Sequence, residues 1–259
     1  MDKDLKRKLA EYLDEAERNS REVVKITASL CPELTIKEAY EVQNELIKLK
    51  EARGQKVLAP KMGITSRAKM MQMNIEEPVY GFLFEYMLEE ETLSLAKYIH
   101  PKVEPEIGIV LKEDVEYPVT LEEIENKVDY IFSCAEIVDS RYKNFEITLP
   151  DIIADNASAK GAFFGKEKFK LSDLDLINEE VKVLINGQEV ASGKGAAILG
   201  NPLESILELA KMLSRQGEVV EKNKPIMSGA LTASQILKAG DKIEIIYSNL
   251  EKISFKVEE

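Results

Sequence analysis

The sequence contains no tryptophan, one histidine (His100) and two cysteines, Cys31 and Cys134. Structural and catalytic zinc sites are usually built from several histidine and cysteine ligands, so a zinc site of that kind is excluded. Two cysteines are also too few for a disulfide scaffold. Because Cys134 lies in an apolar run, where a buried free thiol is the usual state, we expect both cysteines to be reduced.

Long hydrophobic runs and excess positive charge are also missing. No apolar stretch reaches the roughly 20 residues of a membrane-spanning helix, and the N-terminus lacks the apolar block of a signal peptide. Lysine and arginine number 35 against 47 aspartate and glutamate, for a formal net charge of −12. This charge opposes binding to nucleic-acid phosphates and anionic membranes. We therefore expect a cytoplasmic protein that binds neither nucleic acid nor membranes.

The first third of the 259-residue chain has the periodicity of amphipathic helices. Apolar residues recur at helical spacing between Leu5 and Ala16, and Thr35 followed by Glu38 has the spacing of a capping box before a second helix that ends near Gly54. A further helix is predicted in "NPLESILELAKMLSRQG", with Asn201 as its N-cap and Pro202 at its first position.

From residue 57 onward the pattern changes to short apolar runs separated by turn residues. "VEPEIGIVL", "DYIFSCAEIV", "VKVLINGQEVASG" and "DKIEIIYSNLEKISFKV" predict strands, with hairpin turns at Asn186-Gly187 and at 248–250. Helices first and strands mostly later, without strict alternation, favour the α+β class. We predict a helical N-terminal segment at residues 1–56 and a β-rich domain at residues 57–259, forming one structural unit.

Three glutamates stand out because they interrupt apolar strands. Glu104 and Glu106 lie two residues apart in "VEPEIGIVL" and therefore point to one face of the strand. Glu136 lies in the apolar run "YIFSCAEIV", where a buried carboxylate is costly unless it is paired or binds a metal. Together they form an all-oxygen set that suits Mg²⁺, Mn²⁺ or Ca²⁺. A solvent-facing strand, or pairing of Glu136 with Arg141, explains the same pattern without a metal.

Other polar residues occur within apolar surroundings. Lys61, between Pro60 and Gly63, is a candidate for a partly buried ammonium or for an ordinary surface lysine. Two polar clusters suit a small carboxylate or are simply loops. The first cluster contains Asp155, Asn156, Ser158 and Lys160, and the second contains Ser228, Gly229 and Thr232. No nucleotide-binding motif and no Ser/His/Asp or Cys/His set is present.

Six stretches in one order resemble the family of 2-oxopent-4-enoate hydratases and 4-oxalocrotonate decarboxylases, which is related in fold to the fumarylacetoacetate hydrolases. They are "PKMGITSRAKMMQM", "PVYGFLFEYM", "HPKVEPEIGIVL", "AEIVDSRY", "LPDIIADNASAKG" and "MSGALT". The resemblance runs from about residue 55 to the C-terminus and implies a β-rich, mixed-sheet roll. It places Glu104, Glu106 and Glu136 at the metal-ligand positions for Mg²⁺ or Mn²⁺, with Gly108 leaving space beside the metal.

The resemblance also implies roles for the other candidates. Lys61 corresponds to the active-site lysine of the family, although many members have an aromatic residue where this chain has Pro60. Ser228 and the backbone near Gly229 would hold the first carboxylate of the substrate, and the cluster of Asp155, Asn156 and Ser158 would help to bind it. A basic residue would meet the distal carboxylate. The candidates are Arg67, Lys69 and Arg141.

The implied activity is decarboxylation of 2-oxo-3-hexenedioate, a small 2-oxo dicarboxylate, in the degradation of aromatic compounds, with the metal as Lewis acid at the 2-oxo oxygen. The main alternative is a hydratase that adds water to 2-hydroxypenta-2,4-dienoate. A carbon–carbon hydrolase of acylpyruvates would need a His–Glu base pair, and His100 is the one histidine. A noncatalytic Ca²⁺-binding module would not need Lys61. The resemblance further implies a homo-oligomer, which for a decarboxylase could associate with its partner hydratase.

Overall fold

Helices dominate the first 56 residues of the computed structural model, which describes residues 1–259, and strands dominate the rest. The α-helices are α1 (Lys3–Arg18), α2 (Ile26–Ser29), α3 (Ile36–Glu51), α4 (Arg67–Gln72), α5 (Leu121–Lys127), α6 (Leu149–Ala154) and α7 (Glu204–Ser214). The strands are β1 (Val57–Gly63), β2 (Val79–Phe84), β3 (Leu88–Glu89), β4 (Thr92–Ser94), β5 (Lys102–Leu111), β6 (Val128–Val138), β7 (Ala159–Phe164), β8 (Glu180–Ile185), β9 (Gln188–Lys194), β10 (Pro225–Ala230), β11 (Gln235–Ile236), β12 (Lys242–Tyr247) and β13 (Ile253–Glu258). The predicted α+β class is confirmed.

The N-terminal helices begin at capping residues and pack through their apolar faces. Asp2 accepts a hydrogen bond from the backbone of Leu5 at the start of α1, and the predicted capping box of Thr35 and Glu38 opens α3. Buried side chains of α1 and α3 form one core with residues of β2 and α6. The helical segment therefore shares its hydrophobic core with the β-rich part of the chain.

Two mixed sheets make up the β-rich part. The larger sheet has the strand order β2-β1-β10-β5-β6-β7-β3, with β11 paired to β5, and the smaller has the order β4-β13-β12-β8-β9. Strand β1 pairs in parallel with β10, although 161 residues lie between the end of β1 at Gly63 and the start of β10 at Pro225. Long-range pairing of this kind brings residues from both ends of the chain into the centre of one sheet.

The two faces of β5 and β6 have different surroundings. Val103, Ile107 and Ile109 of β5, with Ile131 and Ile137 of β6, belong to the main core, which also contains apolar residues of the smaller sheet and α7. The opposite face bears a smaller apolar cluster that includes Val110, Phe132, Cys134 and Met227. Because this second face is covered over much of its area, a polar side chain such as Glu106 is withdrawn from bulk water there.

Local predictions are confirmed where sequence signals are strong. The hairpin of β8 and β9 turns at Asn186 and Gly187, both with positive φ. The helix predicted after Asn201 is shorter than expected: α7 begins at Glu204, and the Asn201 side chain accepts a hydrogen bond from the backbone of Leu203 in the preceding turn. Both cysteines are free thiols, and no helix has the length and apolar character needed to cross a membrane.

One expectation, that Gly108 leaves space beside the metal, is corrected, and the structure shows which cavity Pro60 faces. A Cβ added to Gly108 would lie 2.2 Å from Phe132 Cζ, so the ring of Phe132 fills the space that was expected beside the metal. Pro60 lines a small cavity with Val57 and Phe82, whereas Lys61 lines a different cavity. Neighbouring strand residues point to opposite faces, so Pro60 does not shape the cavity of Lys61.

Candidate active site

Strands β5 and β6 bring the three candidate metal ligands together. Glu104 is the direct cross-strand partner of Glu136, and Glu106 is the partner of Cys134. Direct partners in an antiparallel pair share a face, so all three carboxylates lie on the same face of the large sheet. One oxygen of each lies within 4.8 Å of the others, a grouping that can hold a metal ion.

The neighbouring strands β1 and β10 complete this acidic cluster. Lys61 Nζ lies 2.9 Å from Glu136 Oε1, and both side chains are almost completely buried. The backbone N–H of Gly229 donates a hydrogen bond of 2.8 Å to Glu106 Oε2. Glu106 Oε1 and Glu136 Oε2 are buried without a hydrogen-bond partner. Buried polar atoms without partners are rare in folded proteins, so these two oxygens indicate a binding site.

The negative charge of the acidic cluster, formed by Glu104, Glu106 and Glu136, is only partly neutralised by the surrounding protein groups. Burial, followed by the charge of Glu136, raises the pKa of Glu104 to about 7. The same two causes raise the pKa of Glu106 well above its ordinary value, although Lys61 opposes them. A divalent cation would remove this penalty, and an all-oxygen donor set without histidine or cysteine suits Mg²⁺ or Mn²⁺. The residues present therefore fit the expected metal.

Two adjoining cavities lead to the cluster. One has a volume of about 400 Å³ and is lined by Lys61 and Ser158 among others, and the second has about 330 Å³. Both are lined by Glu104, Lys69 and Ile64. Each is within the size range of small-molecule sites. Glu104 thus lies where a small substrate in either cavity reaches the metal ligands.

The backbone around the larger cavity is strained. Ile64, Phe145, Ala157 and Ser158 line it and have φ angles between 50° and 58°. This left-handed region is uncommon for residues other than glycine, and for a β-branched or bulky side chain it is a genuine outlier. Such strain clusters at active sites, where the surrounding fold holds a side chain in the position that function requires.

The predicted ligands of the first carboxylate lie close to the acidic cluster. Ser228 is on β10 and fully buried, and its Oγ has no hydrogen-bond partner. Gly229 has a φ of 113°, and a Cβ there would clash with Thr65, so only glycine fits this position. Its N–H is occupied by Glu106. Ser228 is therefore the unpartnered polar group of this pair, although it is buried and lines neither cavity.

The structure gives four other predicted substrate-binding residues roles within the protein. Arg141 and Asp155 form a buried ion pair, and Arg141 also donates to the backbone carbonyls of Asp139 and Ala159. The Asn156 amide bonds with the backbone of Phe82. Arg67 Nε and Nη2 donate to the carbonyl of Leu199. None of these four residues lines the two cavities, whereas Ser158 does.

One residue that the sequence prediction missed lines the larger cavity. Lys102 is on β5, two residues before Glu104, and its Nζ lies 3.7 Å from the centre of the Phe145 ring. Burial lowers the pKa of Lys102, while Glu104 opposes this shift. The signal was present in the sequence, because Lys102, Glu104 and Glu106 have the same strand parity.

Known proteins share both the sequence and the fold. A 4-oxalocrotonate decarboxylase of Pseudomonas putida is 39% identical over 249 residues, covering 95% of this chain and 94% of the relative. A 2-hydroxyhexa-2,4-dienoate hydratase of Comamonas testosteroni is 33% identical over 252 residues, or 95% of each protein. No family model matches the chain.

Two solved structures extend the comparison. 4-Oxalocrotonate decarboxylase from Pseudomonas putida G7, complexed with magnesium and adipate, has a TM-score of 0.96 and 38% identity, covering 99% of this chain and 98% of that one. Fumarylpyruvate hydrolase from Pseudomonas aeruginosa, in complex with Mn²⁺ and pyruvate, has a TM-score of 0.63 and 12% identity, covering 78% and 89%. The second comparison concerns the fold alone.

The fold is that of the fumarylacetoacetate hydrolases, and the acidic cluster is a candidate site for a divalent cation. The relatives, named as a decarboxylase and a hydratase, place the chain among lyase-type enzymes. Within that class, the chain belongs to the family of 4-oxalocrotonate decarboxylases and related dienoate hydratases. The predicted family is confirmed.

Proposed function

We propose that this protein decarboxylates 2-oxo-3-hexenedioate to 2-hydroxypenta-2,4-dienoate and CO₂, in the degradation of aromatic compounds. The observation that carries the proposal is the cluster of half-buried Glu104 with buried Glu106 and Glu136, which has Lys61 beside it and a small-molecule cavity at its edge. Identity supports the decarboxylase branch, at 39% for a decarboxylase against 33% for a hydratase.

The reaction moves one electron pair along the conjugated chain. The bond between C5 and the C6 carboxyl carbon breaks, and C6 leaves as CO₂. The released pair forms the C4–C5 double bond, the C3–C4 pair becomes the C2–C3 double bond, and the 2-oxo oxygen gains a negative charge and then a proton. The site must therefore stabilise charge that develops at the 2-oxo oxygen.

Glu104, Glu106 and Glu136 would hold the Mg²⁺ or Mn²⁺. When bound, the cation supplies Lewis-acid stabilisation of negative charge on the substrate. The unpartnered oxygens Glu106 Oε1 and Glu136 Oε2 are the protein atoms that remain available for this purpose. The N–H of Gly229 fixes the orientation of Glu106 through its other oxygen, as neighbouring hydrogen bonds usually do for metal ligands.

Lys61 and Ser228 would act on the substrate end that lies nearest to the acidic cluster. Lys61 lines the larger cavity and is buried against Glu136, so its ammonium is positioned beside the acids rather than in solvent. We assign it orientation of the substrate and transfer of the proton at the 2-oxo oxygen. The free hydroxyl of Ser228 is assigned to the C1 carboxylate.

The proposed substrate is an anion, and unpaired positive charge at the cavity fits it. Lys69 and Lys102 line the cavity, and neither side chain forms an ion pair or hydrogen bond within the protein. The overall charge of −12 repels anions at long range, so this local positive charge is needed to attract one. A dicarboxylate has a second carboxylate that can pair with this positive charge, whereas the substrate of the alternative hydratase has only one carboxylate.

A direct assay separates the two activities. Purified protein with Mg²⁺ is given freshly prepared 2-oxo-3-hexenedioate and, separately, 2-hydroxypenta-2,4-dienoate, and CO₂ release and diene absorbance are followed. We expect CO₂ release from the first substrate that stops when EDTA is added. Turnover of the second substrate alone would assign the protein to the hydratases, and inactivity on both would overturn the proposal.

Location and assembly complete the proposal. A cytoplasmic location and a homo-oligomer, with association to a partner hydratase, remain predictions of the sequence. A small anionic substrate is consistent with the relatives. Size-exclusion chromatography with light scattering, with and without the hydratase, measures the assembly state directly.

A further inference from the structure

The wall of the larger cavity carries a lysine, Lys102, that takes no part in the proposed chemistry at the acidic cluster. Lys102, Glu104 and Glu106 occupy alternate positions of β5 and so share the face that bears the acidic cluster. At about 3.3 Å per residue, Lys102 lies roughly 7 Å along the strand from Glu104 and roughly 13 Å from Glu106. The strand thus begins with a positive charge and carries the proposed metal ligands two and four residues further along.

The ammonium of Lys102 is held in place without being neutralised. Its Nζ lies 3.7 Å from the centre of the Phe145 ring, a cation–π distance. The Phe145 ring in turn packs against His100, with ring centres 4.5 Å apart. Phe145 and the preceding Asn144 both have positive φ, so the chain holds this ring in a strained conformation at the cavity wall.

No carboxylate of the protein is paired with Lys102, although most buried or half-buried lysines have a partner. Lys69, which also lines the cavity, is likewise without an ion pair and adds to the positive charge there. An aromatic ring fixes the position of the ammonium but accepts no N–H hydrogen bonds of carboxylate strength. The three donors of Lys102 are therefore available to an anionic ligand.

We infer that Lys102, positioned by Phe145, binds the C6 carboxylate of the substrate and makes the site selective for dicarboxylates. This inference rests on the proposed function, since it names the group that recognises the substrate end opposite to the metal. The sequence suggested Arg67, Lys69 and Arg141 for this role. Arg141 is bound to Asp155, and Arg67 donates from Nε and Nη2 to the carbonyl of Leu199. Lys69 lines the same cavity without an ion pair, but it has no aromatic ring to fix its ammonium as Phe145 fixes that of Lys102.

The chemistry of the reaction determines which kinetic constant Lys102 controls. The C6 carboxylate loses its negative charge as it becomes CO₂, so an ammonium beside it stabilises the bound substrate more than the transition state. Interactions of this kind lower KM without raising kcat. Replacing Lys102 with methionine should therefore raise KM for the dicarboxylate and leave kcat unchanged or higher.

Binding of two stable analogues tests the inference without relying on turnover. The probes are 2-oxohexanedioate, the saturated analogue of the proposed substrate, and 2-oxohexanoate, which lacks its C6 carboxylate. Calorimetry with the Mg²⁺-loaded protein compares wild type with Lys102→Met, Lys102→Arg and Lys182→Met. Lys182 is an exposed lysine on the smaller sheet, and its replacement controls for the loss of one charge.

We expect Lys102→Met to weaken binding of 2-oxohexanedioate by about 10-fold or more, as loss of a charged hydrogen bond does, and to leave 2-oxohexanoate within about twofold of wild type. Lys102→Arg should retain most of the dicarboxylate affinity, and Lys182→Met should match wild type. Equal weakening of both ligands by Lys102→Met, or weakening of neither, would overturn the inference.

Kinetics then separate this inference from the proposed function. If wild type releases CO₂ from 2-oxo-3-hexenedioate, Lys102→Met should raise KM with kcat maintained, and a fall in kcat with KM unchanged would contradict the assignment. If wild type is inactive on that substrate but Lys102→Met still selectively weakens 2-oxohexanedioate, the proposed function fails while dicarboxylate recognition by Lys102 stands.

Discussion

Two groups of buried charges, one on the large sheet and one between that sheet and the N-terminal helices, differ in how their charges are balanced. In the acidic cluster, Glu106 Oε1 and Glu136 Oε2 have no hydrogen-bond partner. The second group connects the N-terminal helices to the sheet around Glu17, and we call it the Glu17 network. There Lys50 Nζ and the Tyr86 hydroxyl donate to the two Glu17 oxygens at 2.6 and 2.7 Å.

The pKa values of the two groups differ in the same way. Burial alone would raise the pKa of Glu17, but the charges of Lys50, Arg141 and Lys160 outweigh it and hold the pKa at about 2. In the acidic cluster burial raises the pKa of Glu104 to about 7. A buried carboxylate with bonded oxygens and a lowered pKa stabilises the fold, whereas one with free oxygens and a raised pKa is prepared for a ligand.

The largest effect is expected from Glu106→Gln. We predict that it lowers kcat/KM by about 10⁴-fold, roughly 5 kcal/mol, because a metal ligand is lost, and that it weakens Mg²⁺ or Mn²⁺ binding measured by calorimetry. The metal-free variant should be at least as stable as wild type in urea, since an unpaired buried charge has been removed. Glu244→Gln, at a half-exposed glutamate of the smaller sheet, is the control. A large loss of stability in metal-free Glu106→Gln would contradict the contrast between the two groups.

Glu17→Gln should have the opposite pattern. It leaves the buried ammonium of Lys50 without its carboxylate partner, so we expect the free energy of unfolding to fall by about 3–5 kcal/mol. Metal affinity and kcat should be maintained at temperatures where the variant is folded. Urea unfolding and calorimetry measure the two quantities. A variant that is stable but does not bind metal would show that the Glu17 network belongs to the active site.

The pH dependence of this difference follows from the lowered pKa of Glu17, which is about 2 in the folded protein against an ordinary value of 4.5. A lowered carboxyl pKa contributes stability that is complete above the unfolded value and is lost as pH falls through the folded value. The stability difference between wild type and Glu17→Gln should therefore be constant above about pH 4.5 and shrink as the pH falls toward 2. A difference that grows on acidification would contradict this sign.

Lys61→Met should have an intermediate effect. Lys61 is the one ammonium within 4.0 Å of the acidic cluster, and loss of a proton-transfer or orienting group costs about 10²-fold or more in kcat. Metal affinity should be maintained or increased, because a positive charge beside the cation is removed. Steady-state kinetics and calorimetry test both points. Full activity in this variant would show that Lys61 has a structural role and not a catalytic one.

The smallest effect is expected from Arg67→Ala. Arg67 is exposed, and its Nε and Nη2 already donate to the backbone carbonyl of Leu199 instead of to a ligand. We predict that kcat and KM stay within about twofold of wild type, as for most surface substitutions. An increase in KM of about 10-fold for the dicarboxylate, with kcat unchanged, would restore Arg67 as the residue that meets the distal carboxylate.

Features coded by neighbouring residues were predictable. The alternation in β5 places Glu104 and Glu106 on one face, the Thr35–Glu38 spacing gives the capping box, and Asn186-Gly187 gives the hairpin. Each depends on backbone geometry over only a few residues. The assignment of Gly108 was wrong because the Phe132 ring that fills its space comes from another strand.

Which charged residues face the ligand could not be read from the chain in this way. Arg141 and Lys102 are both basic residues near acids in the sequence, yet Arg141 is bound to Asp155 and Lys102 is without an ion pair. The difference depends on partners supplied by loops and strands that pack together only in the folded protein. Strained residues such as Phe145 are similarly invisible, because the surrounding fold imposes their conformation.

The sequence by itself determined the helical and β-rich parts, the shared face of the β5 glutamates and, through its motifs, the family. The tertiary structure decided that Glu136 faces Glu104, that Lys61 reaches them from β1, and that Glu17 and Arg141 are satisfied elsewhere. The physical reason is range: strand parity and capping are set by local backbone geometry, whereas the balance of a buried charge depends on long-range pairing that brings distant residues to one place.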